Sequence, residues 1–255
     1  MPQPAKRLLF CCTALLVAAL AAPTAASASE GKPLEFGYIN LPPFGYTNKE
    51  GEHKGYLVDV SRRVFQAMDQ PVHFAQRPAT RLYRQLDSGR TAFTLGAANL
   101  HRLTANAVES SEPAARLTLS LYRRKDTDPI SSLSQLRGEH VVLMKGYSYG
   151  SLGPFFRKEA NATQITEART HKSALRMIQF RRADYLLNYQ IPADTTIARN
   201  SLEGLERDVI GRVDVHFFVS EAIEDAQSLV AEWDHHLRRL KRNNALPSMD
   251  YYETE

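Results

Sequence analysis

Apolar and polar positions along this chain switch repeatedly between a period near two and a period near 3.6. The first switch is the sharpest. Leu34 to Ile39 is a short apolar run of strand character that ends in Asn40-Leu41-Pro42-Pro43-Phe44. Two prolines remove two backbone donors and fix their φ angles, so the sheet cannot continue there. The pattern predicts a stiff, extended, exposed loop that holds Phe44 and Tyr46 in place. Asn48 to Gly51 reads as a turn, and Gly55-Tyr56 leads into a helix opening at Leu57-Val58-Asp59-Val60. Val60, Val64, Phe65, Ala67 and Met68 then fall at helical spacing. Pro71 to Phe74 is a short strand. Thr80 is the expected N-cap of a helix that carries Leu82, Tyr83 and Leu86 and stops near Gly89. Thr91 to Ala97 is the next strand.

This β-α-β-α-β order predicts a parallel sheet with crossover helices. Ligands in such sheets sit beyond the carboxyl ends of the strands. The Pro-Pro-Phe loop and the stretch from Ala97 to Arg102 both fall at that edge. Leu117 to Tyr122 is a further strand, and 131–138 a short helix stopped by Gly138. The alternation then restarts. Strands are expected at Val141 to Met144, Thr163 to Ile165 and Asp184 to Tyr189. Helices are expected through Phe155, Phe156 and Ala160, from His171 to Phe180, and from about Pro192 to Arg199. Val213 to Val219 is a return strand, and Glu224 to Arg242 a long last helix with Ala226, Leu229, Val230, Trp233, Leu237 and Leu240 on one face. Ser248 to Glu255 is expected to be a loose tail. The fold class is therefore α/β, with a second unit inserted in the first and two crossings acting as a hinge. The expected boundaries are 29–118 with 217–255 for one lobe and 119–216 for the other. The crossings fall near 119–124 and 212–218.

Composition changes the picture at the amino terminus. Lys6 and Arg7 precede the apolar run Leu8 to Leu20, and Ala26-Ser27-Ala28 is a small-residue cleavage site. Residues 1–28 therefore read as a signal peptide, too short in its apolar part to span a bilayer. Cys11 and Cys12 open that run, whereas a lipidated cysteine would follow it. Both leave with the peptide, so the mature chain has neither disulfide nor thiol chemistry. Removal of Lys6 and Arg7 leaves 30 basic against 28 acidic residues, a balance that argues against nucleic acid as a partner. The expected protein is soluble and periplasmic.

With these elements in order, the chain resembles the periplasmic solute-binding proteins of the polar amino-acid uptake class, bacterial extracellular solute-binding family 3. The resemblance covers nearly all of the mature chain. It rests on Pro42-Pro43-Phe44-Gly45-Tyr46, Gly55-Tyr56-Leu57-Val58-Asp59, Leu86-Asp87-Ser88-Gly89-Arg90, Leu136-Arg137-Gly138, Gly146-Tyr147-Ser148, Arg181-Arg182-Ala183-Asp184 and the closing segment from Val219-Ser220 to Lys241. It implies a type II periplasmic binding fold: two lobes closing on one small solute, which is passed to a membrane permease or read by a receptor. It implies a monomer, without cofactor or metal, that binds rather than turns over.

Residue by residue, the resemblance assigns Arg102 to the solute's carboxylate, for which a planar guanidinium fork is suited. Asn99 is the polar helper in the same loop. Gly146, Tyr147 and Ser148 match the anion grip of the second lobe, at a turn feeding a helix, and Tyr147 replaces the small hydroxyl residue usual after that glycine. Phe44 and Tyr46 match an aromatic lid, with Tyr56 nearby. One feature departs from the family. Where amino-acid binders place the Asp that holds the solute's ammonium, this chain has Tyr189, beside Asn188, and the position after Gly89 where relatives often carry Asp is Ala92. A buried ammonium without a counter-charge is costly. The four tyrosines Tyr147, Tyr149, Tyr185 and Tyr189 suit an aromatic or uncharged organic anion instead. Four readings stay open here: transport-linked binding, a stand-alone sensor, a dehydratase-like enzyme on the same scaffold, and a degenerate site. For the enzyme, His53, His73, His101 and His216 are candidate bases and Glu109 and Glu112 candidate acids, but none is paired at a recognisable catalytic spacing. His235-His236 lacks the i,i+4 spacing of a metal pair.

Overall fold

The structure, a computed structural model, describes residues 33–98, 105–156, 163–249 and 252. The first strand, β1 (Leu34–Tyr38), runs into the Pro-Pro loop, followed by a small hairpin of β2 (Tyr46–Thr47) and β3 (His53–Lys54). Next come α1 (Tyr56–Ala67), β4 (Val72–Gln76), α2 (Ala79–Asp87), β5 (Phe93–Ala97), β6 (Ala107–Glu109) and β7 (Ala115–Arg124). The second series is β8 (His140–Met144), α3 (Gly153–Phe156), β9 (Gln164–Ala168), α4 (His171–Gln179), β10 (Tyr185–Tyr189) and α5 (Gln190–Arg199). The long β11 (Leu205–Ser220) and α6 (Ala226–Arg242) close the chain.

All strands but β2 and β3 join one sheet in the order β4-β1-β5-β11-β7-β10-β8-β9, with β6 also on β11. The outer groups, β4-β1-β5 and β10-β8-β9, are parallel. The middle is antiparallel: β11 pairs with β5 on one side and with β7 on the other, and β7 pairs with β10. The strands that carry the expected crossings are neighbours, hydrogen-bonded from Leu205↔Arg124 to Val215↔Ala115, but 119–124 faces 205–211 rather than the expected 212–218.

Several expected bounds move for physical reasons. β11 begins eight residues before Val213, because the charged stretch 205–212 needs no second buried face. Its partner on β7 is Arg123, which donates to Asp208 at 2.8 Å and pairs with Glu206 at 3.0 Å; just beyond the stretch, Arg116 donates to Asp214 directly across the ladder. Residues 131–138 form only a 3-10 turn, Leu133–Leu136, held by a Ser132/Gln135 capping box. α2 begins after Pro78, whose carbonyl accepts from Arg81 and Leu82, both at 2.9 Å, so Thr80 lies inside the first turn and is not the cap. α6 starts at Ala226 rather than Glu224.

The Pro-Pro loop is a turn rather than an extended segment, and it is exposed only at Asn40 and Pro42. Leu41 and Gly45 exchange N–H···O bonds of 2.7 and 3.0 Å, and Leu41, Pro43, Phe44 and Gly45 are buried. A segment that has left the sheet must still satisfy its backbone groups, and this one does so within itself while turning its apolar side chains inward. Tyr252 ties the tail down. The Tyr252 hydroxyl donates to Asp59 at 2.6 Å, and its ring stands edge-on to Tyr56 at 5.8 Å.

Besides a small hydrophobic cluster of Leu86, Ala107 and Phe218, two large ones lie among the described residues. One is built on β1, β5, α1 and α6, where Trp233 stacks on Phe217 with ring centroids 3.9 Å apart and Phe65, Phe93 and Phe36 complete the set. The other lies around β7, β8 and β10 and reaches across to Leu41, Phe44 and Ala97. At Gly37, a Cβ would stand 2.4 Å from a Leu82 methyl carbon, so glycine there lets α2 lie close on β1.

Candidate functional site

A cleft opens where the carboxyl ends of β1 and β5 face the loop after β8 and the end of β10. Phe44, Leu57, Leu82, Tyr83, Gly96 and Ala97 line it from one side, and Gly146, Tyr147, Ser148 and Tyr189 from the other. Its volume is about 80 Å³, well under the ~300–1,000 Å³ typical of small-molecule pockets. Among the described lining residues there is no Asp, Glu, Lys or Arg. The walls are aliphatic and aromatic, and the polar groups are hydroxyls and main chain.

Each polar side of the cleft has a local cause. The strand β8 ends at Met144, and the chain reverses through Gly146 at φ +83, which an L side chain rarely adopts. The Tyr147 N–H is consumed by Met144 O at 3.2 Å. Helical structure resumes only with the 3-10 turn Gly150–Leu152 and α3. The expected helix start at Ser148 is therefore displaced, and no helix tip lies at the Gly146-Tyr147-Ser148 turn. Tyr149, with left-handed backbone, swings its ring inward. Its hydroxyl accepts from Met144 N at 2.6 Å and donates to Leu187 O at 3.2 Å, locking the turn onto β10.

Behind the cleft wall lies a polar chain. Asn188 is fully buried. Its Oδ1 accepts from the Tyr189 N–H at 2.9 Å, and its Nδ2 lies 2.8 Å from His171 Nδ1. The other ring nitrogen of His171 is 3.2 Å from the Tyr147 hydroxyl. Burial lowers the His171 pKa to about 4, so the ring is neutral at pH 7. Burial also raises the phenols of Tyr147 and Tyr189 far above the ordinary value, with the other ring and Tyr83 contributing respectively. The rings of Tyr147, Tyr149 and Tyr189 lie 5.9 to 6.1 Å apart and form one aromatic wall.

Of the residues expected at the site, Phe44, Gly146, Tyr147, Ser148 and Tyr189 meet in the cleft. Asn188 stands behind it. Tyr46 lines a separate cavity of about 510 Å³ with Pro42, Pro43, His171, Lys172 and Arg199. Asn99 and Arg102 lie outside the described residues, as does His101. Tyr185 is a structural residue, donating to Asp128 O at 2.9 Å. His216 is held by Ser110 O at 2.7 Å, and Glu112 pairs with Lys241. His171 was missed from sequence, because a histidine opening a short amphipathic helix looks like any solvated first-turn residue. Leu57, Leu82, Leu95 and Leu117 are legible in the sequence only as helix and strand positions; nothing in an apolar pattern separates a cavity wall from an interior.

The model of the bacterial extracellular solute-binding proteins, family 3, matches residues 34–249. Comparison with curated proteins by sequence finds no match. Among solved structures, a histidine kinase sensor domain with similarity to periplasmic binding proteins superposes at TM-score 0.72, with 20% identity over 86% of this chain and 95% of that one. A structure from work on glutathione import and the cystine importer of Streptococcus mutans gives 0.72, with 22% identity over 88% and 95%. An ancestral arginine-binding protein bound to arginine gives 0.69, with 16% identity over 86% and 97%. The fold is the type II periplasmic binding fold. No helix among the described residues is long and apolar enough to cross a membrane.

Proposed function

The chain belongs to the bacterial extracellular solute-binding proteins, family 3, and from that premise we propose that it binds one small carboxylate-bearing solute in the periplasm and delivers it to an ABC-type membrane transporter. The solute is an amino acid or a related organic acid. Residues 29–118 and 217–255 form one lobe and 119–216 the other, and the paired strands β7 and β11 carry the hinge. The protein works as a monomer, exported by a cleaved signal peptide, and it binds without turnover.

One observation carries this reading: a cleft lined from both strand groups by Phe44 and Ala97 on one side and Tyr147, Ser148 and Tyr189 on the other. A solute touching both sides favours the closed arrangement by its differential affinity for that state. At about 80 Å³ the cleft must widen to admit a solute and close again over it. Arg102 and Asn99 are assigned to the carboxylate. The likeness to a histidine kinase sensor domain supports a second reading, in which the closed form signals to a membrane receptor.

A thermal-shift screen of amino acids, organic acids and polyamines tests the proposal. A ligand at 100 times its Kd stabilises the folded state by about 2.7 kcal/mol, so a true solute raises the melting temperature in a saturable way. A flat response to the whole panel contradicts the proposal.

A further inference from the structure

The hydrogen-bond chain behind the cleft has a direction, and the direction follows from its buried end. The Tyr189 N–H can only donate, so the Asn188 oxygen must face it, at 2.9 Å. Turning the amide over would set two donors against each other inside the protein. The Asn188 nitrogen therefore faces His171 Nδ1, at 2.8 Å, and donates to it. A neutral imidazole carries a single ring proton. With Nδ1 accepting, that proton sits on Nε2 and is donated to the Tyr147 oxygen, 3.2 Å away. The Tyr147 hydroxyl, accepting from the ring, cannot also donate to it. Its own proton is left for an acceptor other than the ring, and the residue lines the cleft.

Resting on the reading of this cleft as a solute site, we propose that Asn188 and His171 are positioning residues that aim the Tyr147 hydroxyl proton into the cleft, so that the wall formed by Tyr147 and Tyr189 selects a hydrogen-bond acceptor on the solute and rejects an ammonium. Two further observations agree. No acidic side chain is among the described lining residues, so an ammonium against this wall has no counter-charge. The neutrality of the ring is enforced by burial. Within the carboxylate class taken from the proposed function, the neighbouring carbon carries an oxo, hydroxyl or acylamino group rather than a free amine, with an apolar remainder against Phe44, Leu82 and Leu117.

The test uses the mature protein and two probes of equal carbon skeleton, 4-methyl-2-oxopentanoate and L-leucine. Nitrogen NMR of the His171 ring, in protein without ligand, reads the tautomer, and calorimetry reads the affinities. The expected results are a proton on Nε2, the oxo acid binding at least tenfold more tightly than the amine, and Tyr147→Phe weakening the oxo acid by about five- to tenfold. His171→Leu leaves the hydroxyl free to rotate and narrows the gap between the probes, whereas a merely structural role would weaken both equally. A proton on Nδ1 overturns the proposal on the unmodified protein, whatever the variants do. Equal affinity for the two probes, or no effect of Tyr147→Phe, also overturns it. If neither probe binds while Nε2 carries the proton, the aim of the hydroxyl stands and the solute class proposed here falls. If the wider panel fails as well, the solute-binding reading falls.

Discussion

A histidine that is partly buried, neutral and hydrogen-bonded at both ring nitrogens makes the stability of this protein depend on pH. The unfolded chain takes up a proton at the ordinary 6.5, while the folded ring resists until about 4. The unfolded state therefore gains protons first as the pH falls. The contribution of His171 is complete above pH 6.5 and is lost progressively down to about pH 4, amounting to about 3 kcal/mol. Denaturant titrations at a series of pH values check this: the wild type loses stability relative to His171→Leu across that window, and parallel curves for the two contradict it. At this scale the sequence was half legible. Tyr147, Tyr189 and Asn188 stood out because they occupy positions where the family resemblance expects something else. His171 carried no such signal, since its partners lie 17 and 24 residues away and only the fold brings them together.

At the scale of elements, strands and helices with strong periodicity were read correctly in kind, and the misses share a cause. The 205–212 part of β11 was invisible because its acidic residues Glu206 and Asp208 pair with Arg123 on β7 instead of alternating with apolar ones. The Pro-Pro loop was misjudged because proline reports what the backbone cannot do and says nothing of what the side chains will bury. The last helix was legible, and its burial makes a prediction. Trp233 is fully buried and stacked on Phe217 at 3.9 Å, with Phe65 at 5.3 Å. Trp233→Ala should cost ~3–5 kcal/mol of folding stability, read as a shifted denaturation midpoint; a change below about 1 kcal/mol contradicts the packing described. Asp234 beside it is buried because it accepts from Ser111 N, Ser111 Oγ and Glu112 N at 2.6 to 3.0 Å. It fastens the start of the 111–114 turn to α6.

For the whole molecule, the repeated strand-helix order was enough to identify an α/β fold of two joined units, and the structure adds that the joining strands pair with each other in one continuous sheet. The solute was not legible, because the cleft is walled mostly by aliphatic and aromatic residues that a linear pattern assigns to core. Arg102→Ala, by removing the proposed carboxylate grip, should abolish binding of any hit from the thermal screen while leaving the folding stability of the free protein within about 1 kcal/mol of the wild type. Unchanged affinity removes Arg102 from the site. The most direct test of the central claim is a proton–nitrogen NMR titration of the mature protein with that hit. The account predicts that the amides of Gly96 and Ala97 on one side and Tyr147 and Ser148 on the other shift together and saturate with a single Kd. Shifts confined to one side, or to residues remote from the cleft, would contradict it.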